Sequence, residues 1–120
     1  MSKNYSIEII DGIIVTRFSK IHSFSDCVSA IQGVAKIDNH GRRLWNLSCG
    51  LDLEDTSSAT AQELAEISKN AFPGLGKTAL VAPEDFTFGM AREHNFYRGK
   101  ENCETEVFRT EQEALVWLNK

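Results

Sequence analysis

Hydrophobic residues first cluster in two short segments, Tyr5–Ile10 and Ile13–Phe18, which are rich in β-branched and aromatic side chains. Asp11 and Gly12 separate the two segments. An Asp-Gly pair between apolar runs favours a tight turn, because both turn positions need a positive φ angle. The pattern therefore predicts an antiparallel β-hairpin at the start of the domain.

After the hairpin, apolar residues recur at helical spacing in some segments and run together in others. Four helices are predicted, at Ser23–Asp38, about Ser58–Ala71, roughly Asp85–Arg98, and after a Thr110–Glu113 capping box. Three further strands are predicted at Arg42–Ser48, Lys77–Ala82 and Thr105–Arg109. The order β-β-α-β-α-β-α-β-α predicts an α/β domain with a mostly parallel five-stranded sheet, right-handed crossovers and an antiparallel first strand.

The segment Lys77–Ala82 is nearly all apolar, which is typical of a central strand that is covered on both faces. In a parallel sheet the loops after the strands gather at one edge, and ligands favour that edge. The loops concerned are Ser19–Ser23, Cys49–Thr56, Pro83–Phe88 and Arg109–Thr110. We expect the Pro83 loop to lie near the middle of this edge and Asp85 to cap the helix that follows.

This loop leads into a cluster of apolar residues, Phe86, Phe88 and Met90, with Gly89 among them. On a helix Phe88 points about 160° away from Met90, so the two sides cannot both face the sheet. Either a short first turn places all of these residues in the core, or some of them form an exposed surface for a partner or ligand. Gly89 would permit close approach to the sheet or to a bound molecule, and Arg92 would form an ion pair or hold an anionic head group.

Four stretches of the sequence resemble the SpoIIAA-like or STAS-like domains (sulphate transporter and anti-sigma antagonist), in particular the small stand-alone bacterial branch described as STAS/SEC14-like. The stretches are IEIIDGIIVTRFS, RLWNLS, KTALVAPEDFTFGMARE and TEVFRTEQEALVWL. The third is the most specific, since it combines Val81-Ala-Pro and an acidic residue with Phe88-Gly-Met-Ala-Arg92. The resemblance covers nearly the whole chain and implies one SpoIIAA-like domain over residues 1–120, but it implies no reaction.

The resemblance also implies a candidate phosphorylation site. Anti-sigma antagonists carry a phosphorylatable serine at the start of the helix after the third strand, within an Asp-Ser-Ser-Gly-like motif. Ser57 and Ser58 occupy the matching region, after Asp55 and Thr56, although Ala59 stands where the glycine would follow. The alternative is that these side chains only cap the second helix, because Asp, Thr and Ser are preferred N-cap residues.

The overall charge argues against one large class of partner. The chain of 120 residues has a formal net charge of −4 and a pI of about 5.3, whereas nucleic-acid binding normally requires a basic patch. The N-terminal sequence has no apolar core of signal-peptide length, and no apolar run reaches the ~20 residues of a membrane-spanning helix. Three scattered cysteines fit a reducing compartment, so we expect a cytoplasmic protein.

The spacing of the reactive residues does not indicate catalysis or metal binding. Cys49 and His22 belong to the same predicted edge, but no third residue is indicated to orient them as a dyad. No histidine or cysteine pair has metal-ligand spacing, so we predict no metal, no cofactor and no enzyme activity. We expect a non-catalytic regulatory or protein-interaction module, or alternatively a binder or sensor of a small apolar or lipid-like ligand around Phe86, Phe88 and Met90. A homodimer is expected if the apolar side of that helix is exposed.

Overall fold

The computed structural model describes residues 5–18, 24–37, 41–47, 58–72, 76–85, 88–89, 91–92, 96 and 103–120, with the backbone alone at 24, 58–61 and 103. Within these ranges the chain is an α/β domain with a five-stranded sheet and three helices whose ends are described. The elements are β1 (Tyr5–Ile10), β2 (Ile13–Phe18), α1 (Phe24–Ile37), β3 (Arg42–Asn46), α2 (Ser58–Ala71), β4 (Gly76–Val81), β5 (Cys103–Phe108) and α3 (Glu111–Leu118).

The predicted hairpin is confirmed. β1 pairs with β2 in antiparallel register, and the ladder ends with Ile10 opposite Ile13. Asp11 and Gly12 form the turn with φ angles of 50° and 81°, a region that glycine adopts without strain and aspartate tolerates. A two-residue turn with both φ angles positive matches the right-handed twist of its strands, so the Asp-Gly pair fixes their register.

The five strands lie side by side in sequence order, and every pair after the hairpin is parallel. Right-handed crossovers that all advance in one direction place their helices on the same face of a sheet. Accordingly, residues of α1 and the end of α2 pack in one core cluster with Ile14, Trp45 and Leu80 of the strands. The prediction of a mostly parallel sheet from alternating strands and helices is confirmed.

In the part of the chain that the structure describes, α3 is the one helix on the opposite face. Its Ala114 and Leu118 pack with Val15, Leu44 and Ala79, all of them at most 1% exposed. β4 lies between β3 and β5 and contributes buried residues to the core on both faces. Its nearly continuous apolar sequence therefore predicted its position correctly.

Helical backbone conformation also follows β4, at Asp85, Phe88, Gly89, Ala91, Arg92 and Phe96. The amide of Phe88 donates to the carbonyl of Glu84 at 2.8 Å, which is the i to i−4 bond of an α-helix. Ala91 is buried and, with Phe88, packs on the same face as α1 and α2. These positions agree with the helix predicted at about Asp85–Arg98, although Arg98 lies outside the described residues.

Strand ends differ by one or two residues from the prediction. β4 begins at Gly76 and β5 at Cys103, because these two residues pair with each other at the start of the parallel ladder. β3 ends at Asn46, two residues before the predicted end. Pairing between strands sets these ends, and the hydropathy of a single segment does not predict which residues pair. The N-cap half of the predicted Thr110–Glu113 capping box is confirmed, since the amide of Glu113 donates to Thr110 Oγ1 at 3.2 Å. The Glu113 carboxylate accepts from the Thr110 hydroxyl at 3.0 Å, in place of the backbone amide of a complete box.

Candidate functional site

The carboxyl ends of β2 to β5 share one edge of the sheet, which we call the carboxyl edge. Arg17 lies opposite Asn46, Asn46 opposite Val81, and Val81 opposite Phe108. The segments that follow these strands therefore leave the sheet at the same edge. Because β4 is flanked by β3 and β5, the segment after β4 leaves from within the edge and not from its end.

Phe88 lies between the core and the surface at this edge. Its ring is half-buried and packs against the core cluster that contains Trp45 and Leu80. The guanidinium of Arg109, the residue after β5, stacks on the ring with its Cζ atom 3.9 Å from the ring centroid. A cation at this distance is attracted by the negative face of the ring. One side of the Phe88 ring thus packs against the core, and the positively charged guanidinium of Arg109 stacks on the ring.

Arg109 also ties the segment after β4 to the end of β5. Its Nη1 atom donates to the carbonyl of Pro83 at 3.0 Å and to Asp85 Oδ1 at 2.8 Å. Asp85 already has helical conformation, so the prediction that it caps the helix is wrong. Its carboxylate forms an ion pair with Arg109 because the parallel ladder brings the end of β5 beside the end of β4.

Gly89 and Arg92 continue this surface. Arg92 is exposed, and its Cζ atom lies 6.0 Å from the centroid of the Phe88 ring. A Cβ atom added to Gly89 would meet no atom within 4 Å, so the prediction that Gly89 permits close approach to the sheet is wrong. The helix presents this position outward, and close approach of a bound molecule stays a prediction. We call Asp85, Phe88, Gly89, Arg92 and Arg109 the Phe88 surface.

The remaining residues predicted for this edge lie outside the described part of the chain, namely His22, Cys49, Ser57, Phe86 and Met90. Ser58 begins α2, and the structure describes its backbone alone. Its place at a helix start agrees with both the capping and the phosphorylation hypotheses. Phosphorylation of Ser57 or Ser58 therefore stays a prediction, as does the pairing of Cys49 with His22.

A second cluster at the carboxyl edge was not predicted from the sequence. On the α3 side of the sheet, Nε and Nη2 of Arg17 donate to Oε2 and Oε1 of Glu111 at 3.1 and 2.8 Å. Asn46 Nδ2 donates to Glu111 Oε2 at 2.7 Å, and Arg17 Nη1 donates to Glu8 Oε1 at 3.3 Å. These bonds hold the first turn of α3 to β2 and β3.

The signal for this cluster is present in the sequence, but it is weak. Arg17 and Asn46 are polar residues at or next to the ends of their strands, and Glu111 is the first helical residue after Thr110. Each position alone is ordinary for a solvated strand end or a helix start. Only the parallel register, which sets Arg17 opposite Asn46, reveals that the three side chains meet.

The Arg17 hydrogen bonds hold the pKa of the Glu111 carboxyl below its ordinary value, against the opposing effect of partial burial. The bond from Asn46 lowers this pKa further. The same contact with Glu111 raises the pKa of Arg17. Glu111 is therefore ionised at neutral pH, and its oxygens accept bonds from neighbouring donors. That arrangement suits a structural tether, whereas a general acid or base needs a pKa near the working pH.

We expect Glu111→Gln to lower the free energy of unfolding by about 1–2 kcal/mol at pH 7, because the amide loses the charge and one acceptor oxygen while water partly screens Arg17. A carboxyl whose pKa is lowered by folding contributes stability above its unfolded pKa of about 4.3. That contribution is lost as the pH falls through the folded pKa, so the difference between variant and wild type should shrink below about pH 4.

Urea titrations at several pH values measure this difference. Glu66→Gln is the matched control, since Glu66 is exposed on α2. The tether is contradicted if the Glu111→Gln difference is as large at about pH 3 as at pH 7, or if Glu66→Gln behaves in the same way.

Among the described residues, no group of three or more His, Cys, Asp or Glu side chains could hold a metal ion. Every helix within the described ranges is too short or too polar to cross a membrane. Comparison of the chain with protein-family models, with curated proteins and with solved structures yields no match. The function is therefore inferred from the geometry of the carboxyl edge.

Proposed function

We propose that this protein is a non-catalytic regulatory or protein-interaction module with a SpoIIAA-like (STAS-like) fold, and that it binds its partner at the Phe88 surface. The antiparallel β1 beside four parallel strands, with the crossover helices on one face, supports the fold assignment. The observation that carries the binding proposal is the half-buried Phe88 ring, which lies 3.9 Å from the Arg109 guanidinium and beside the exposed Arg92.

Aromatic and arginine side chains together are typical of the centres of binding surfaces, because they combine a large apolar area with directed donors. The core already holds the Phe88 ring, so little side-chain freedom is lost when a partner covers it. Phe96, four residues beyond Arg92, also has helical conformation and is 79% exposed. The surface is therefore partly preorganised for binding.

Two carboxylates near this edge, those of Asp85 and Glu111, support a binding role over catalysis. Asp85 is paired with Arg109, and Glu111 with Arg17 and Asn46. The pKa of Glu111 is lowered, whereas a carboxyl that acts as an acid or base at neutral pH needs a raised one. Both carboxylates are held in ion pairs within the domain, so neither is placed to act as an acid or base.

A small apolar or lipid-like ligand is the second candidate. The half-buried Phe88 favours it, because its ring offers apolar surface at the edge of the core. A partner protein would cover roughly 800 Å² of this side of the molecule. A ligand would instead need an enclosed cavity of about 300 Å³ or more. The two candidates therefore differ in what binds and in how much surface it covers.

We expect a photo-crosslinking residue, p-benzoylphenylalanine, at position 89 to capture a protein partner in cells, because the space around Gly89 is open. Position 116 is the control, since Val116 is 58% exposed on α3, on the other face of the sheet. Adducts should form at position 89 and not at position 116. The additional substitution Phe88→Ala should reduce them, and mass spectrometry identifies the captured protein.

Absence of adducts at position 89, or equal yields at both positions, would overturn the proposal. An adduct between two copies of this chain would identify a homodimer as the interacting form. A native mass spectrum of the purified protein provides the comparison with the second candidate. If the native mass spectrum shows a bound small molecule and no protein adduct forms in cells, the result favours the second candidate, a ligand carrier.

A further inference from the structure

The ion pair on the Phe88 surface joins two side chains of different exposure. The Asp85 side chain is 97% exposed and that of Arg109 is 44% exposed, with Oδ1 and Nη1 2.8 Å apart. An exposed ion pair stabilises a fold only weakly, so a carboxylate from another molecule can take the place of Asp85. Arg109 would stay in position, because the Phe88 ring and the Pro83 carbonyl also hold it.

Arg92 provides a second positive charge beside the same ring. Within the described ranges, no carboxylate lies within ion-pair distance of Arg92. Two guanidinium groups therefore lie near Phe88, on a protein whose net charge is −4. When Asp85 is displaced, these two guanidinium groups beside an apolar ring complement a ligand that carries carboxylates next to an apolar group. The negative net charge opposes general attraction to anionic bilayers and nucleic acids.

We propose that the Phe88 surface binds an acidic segment of a partner protein. Its carboxylates pair with Arg92 and Arg109, displacing Asp85, while a neighbouring apolar side chain covers the Phe88 ring. Asp85 then competes with the ligand for Arg109, and this competition disfavours the binding of segments that contain few carboxylates. This inference rests on the proposed function and adds the chemistry of the partner to it.

The test uses two fluorescein-labelled decapeptides with leucine at alternate positions. The remaining positions are all glutamate in one peptide and all glutamine in the other. Fluorescence anisotropy with the full chain should show roughly threefold tighter binding of the glutamate peptide, because the pair with Arg92 is new while the pair with Arg109 replaces that of Asp85. Raising sodium chloride from about 0.05 M to about 0.3 M should remove most of this preference, because salt screens exposed charges.

Single substitutions assign the preference to residues. Arg92→Met and Arg109→Met should each weaken binding of the glutamate peptide by roughly two- to fivefold, and Asp85→Asn should strengthen it by a similar factor. Lys36→Met is the matched control, since it removes one exposed positive charge in the last turn of α1 and should leave the affinity unchanged. Circular dichroism establishes that each variant is folded.

Equal affinity for the two peptides, or equal weakening by Lys36→Met, would overturn the assignment of an acidic partner. Preferential binding to phosphatidylglycerol vesicles would overturn it in favour of a membrane. If Asp85→Asn weakens binding, Asp85 contacts the ligand and does not compete with it. Crosslinking at position 89 does not depend on charge, so adducts without a peptide preference would leave the interaction surface standing and remove only the acidic partner.

Discussion

We expect Gly76→Ala to lower the free energy of unfolding by about 3 kcal/mol. A Cβ atom at position 76 would lie 2.9 Å from the Cα atom and 3.0 Å from the carbonyl carbon of Gly41, and closer still to its oxygen. The backbone cannot easily move away, because the amide of Lys77 donates to that same oxygen and Gly41 has a φ angle of 75°. Urea unfolding followed by circular dichroism measures the loss.

Gly89→Ala is the matched control, since it adds the same methyl group where no atom lies within 4 Å. Gly89 is exposed and helical, so alanine should raise the free energy of unfolding by about 1 kcal/mol. The two substitutions are therefore expected to change stability in opposite directions. If Gly76→Ala costs less than about 1 kcal/mol, the backbones at the start of β4 relax around the added group.

The second large effect is expected at Leu118, where substitution by alanine should lower the free energy of unfolding by about 3 kcal/mol. Leu118 is 1% exposed and packs against the cluster that contains Val15 and Leu44. α3 has eight residues, and a helix of that length is not stable by itself in water. The buried contacts that attach it to the sheet come from Ala114 and Leu118, its two buried residues, and they add to the Glu111 hydrogen bonds in its first turn.

Val116→Ala is the control for Leu118→Ala, because Val116 belongs to the same helix and is 58% exposed. Its substitution should change the free energy of unfolding by no more than about 0.5 kcal/mol. Amide hydrogen exchange of α3 reports which variant detaches the helix. Equal losses for the two variants would contradict the assignment of Leu118 as the anchor.

The elements that the sequence predicts well are those with local signals. The Asp11–Gly12 turn needs only two adjacent residues, and both have the positive φ angles that the turn requires. The Thr110 cap likewise involves residues three positions apart, and its hydrogen bonds are present. The parallel order of the later strands follows from their alternation with helices and from the handedness of the crossovers.

The candidate site depends on contacts that no local pattern contains. Arg17 and Glu111 are 94 residues apart in sequence and meet only because β2 and α3 are both placed beside β3. Phe88 was predicted as a surface or core residue, but its stacking with Arg109 requires the register between β4 and β5. The residue types at the carboxyl edge were therefore predictable, whereas the pairings that give them a role were not.

The position of α3 in the chain has a consequence for biosynthesis. Val15, Leu44 and Ala79 are translated before the helix that covers them, since α3 follows all five strands. Since α3 is synthesised after all five strands, this side of the nascent sheet lacks the cover that α3 provides until the helix leaves the ribosome. A chain terminated before Glu111 would lack α3 and would expose the apolar residues that it covers. Chaperones and proteases would then act on it as on an incompletely folded protein.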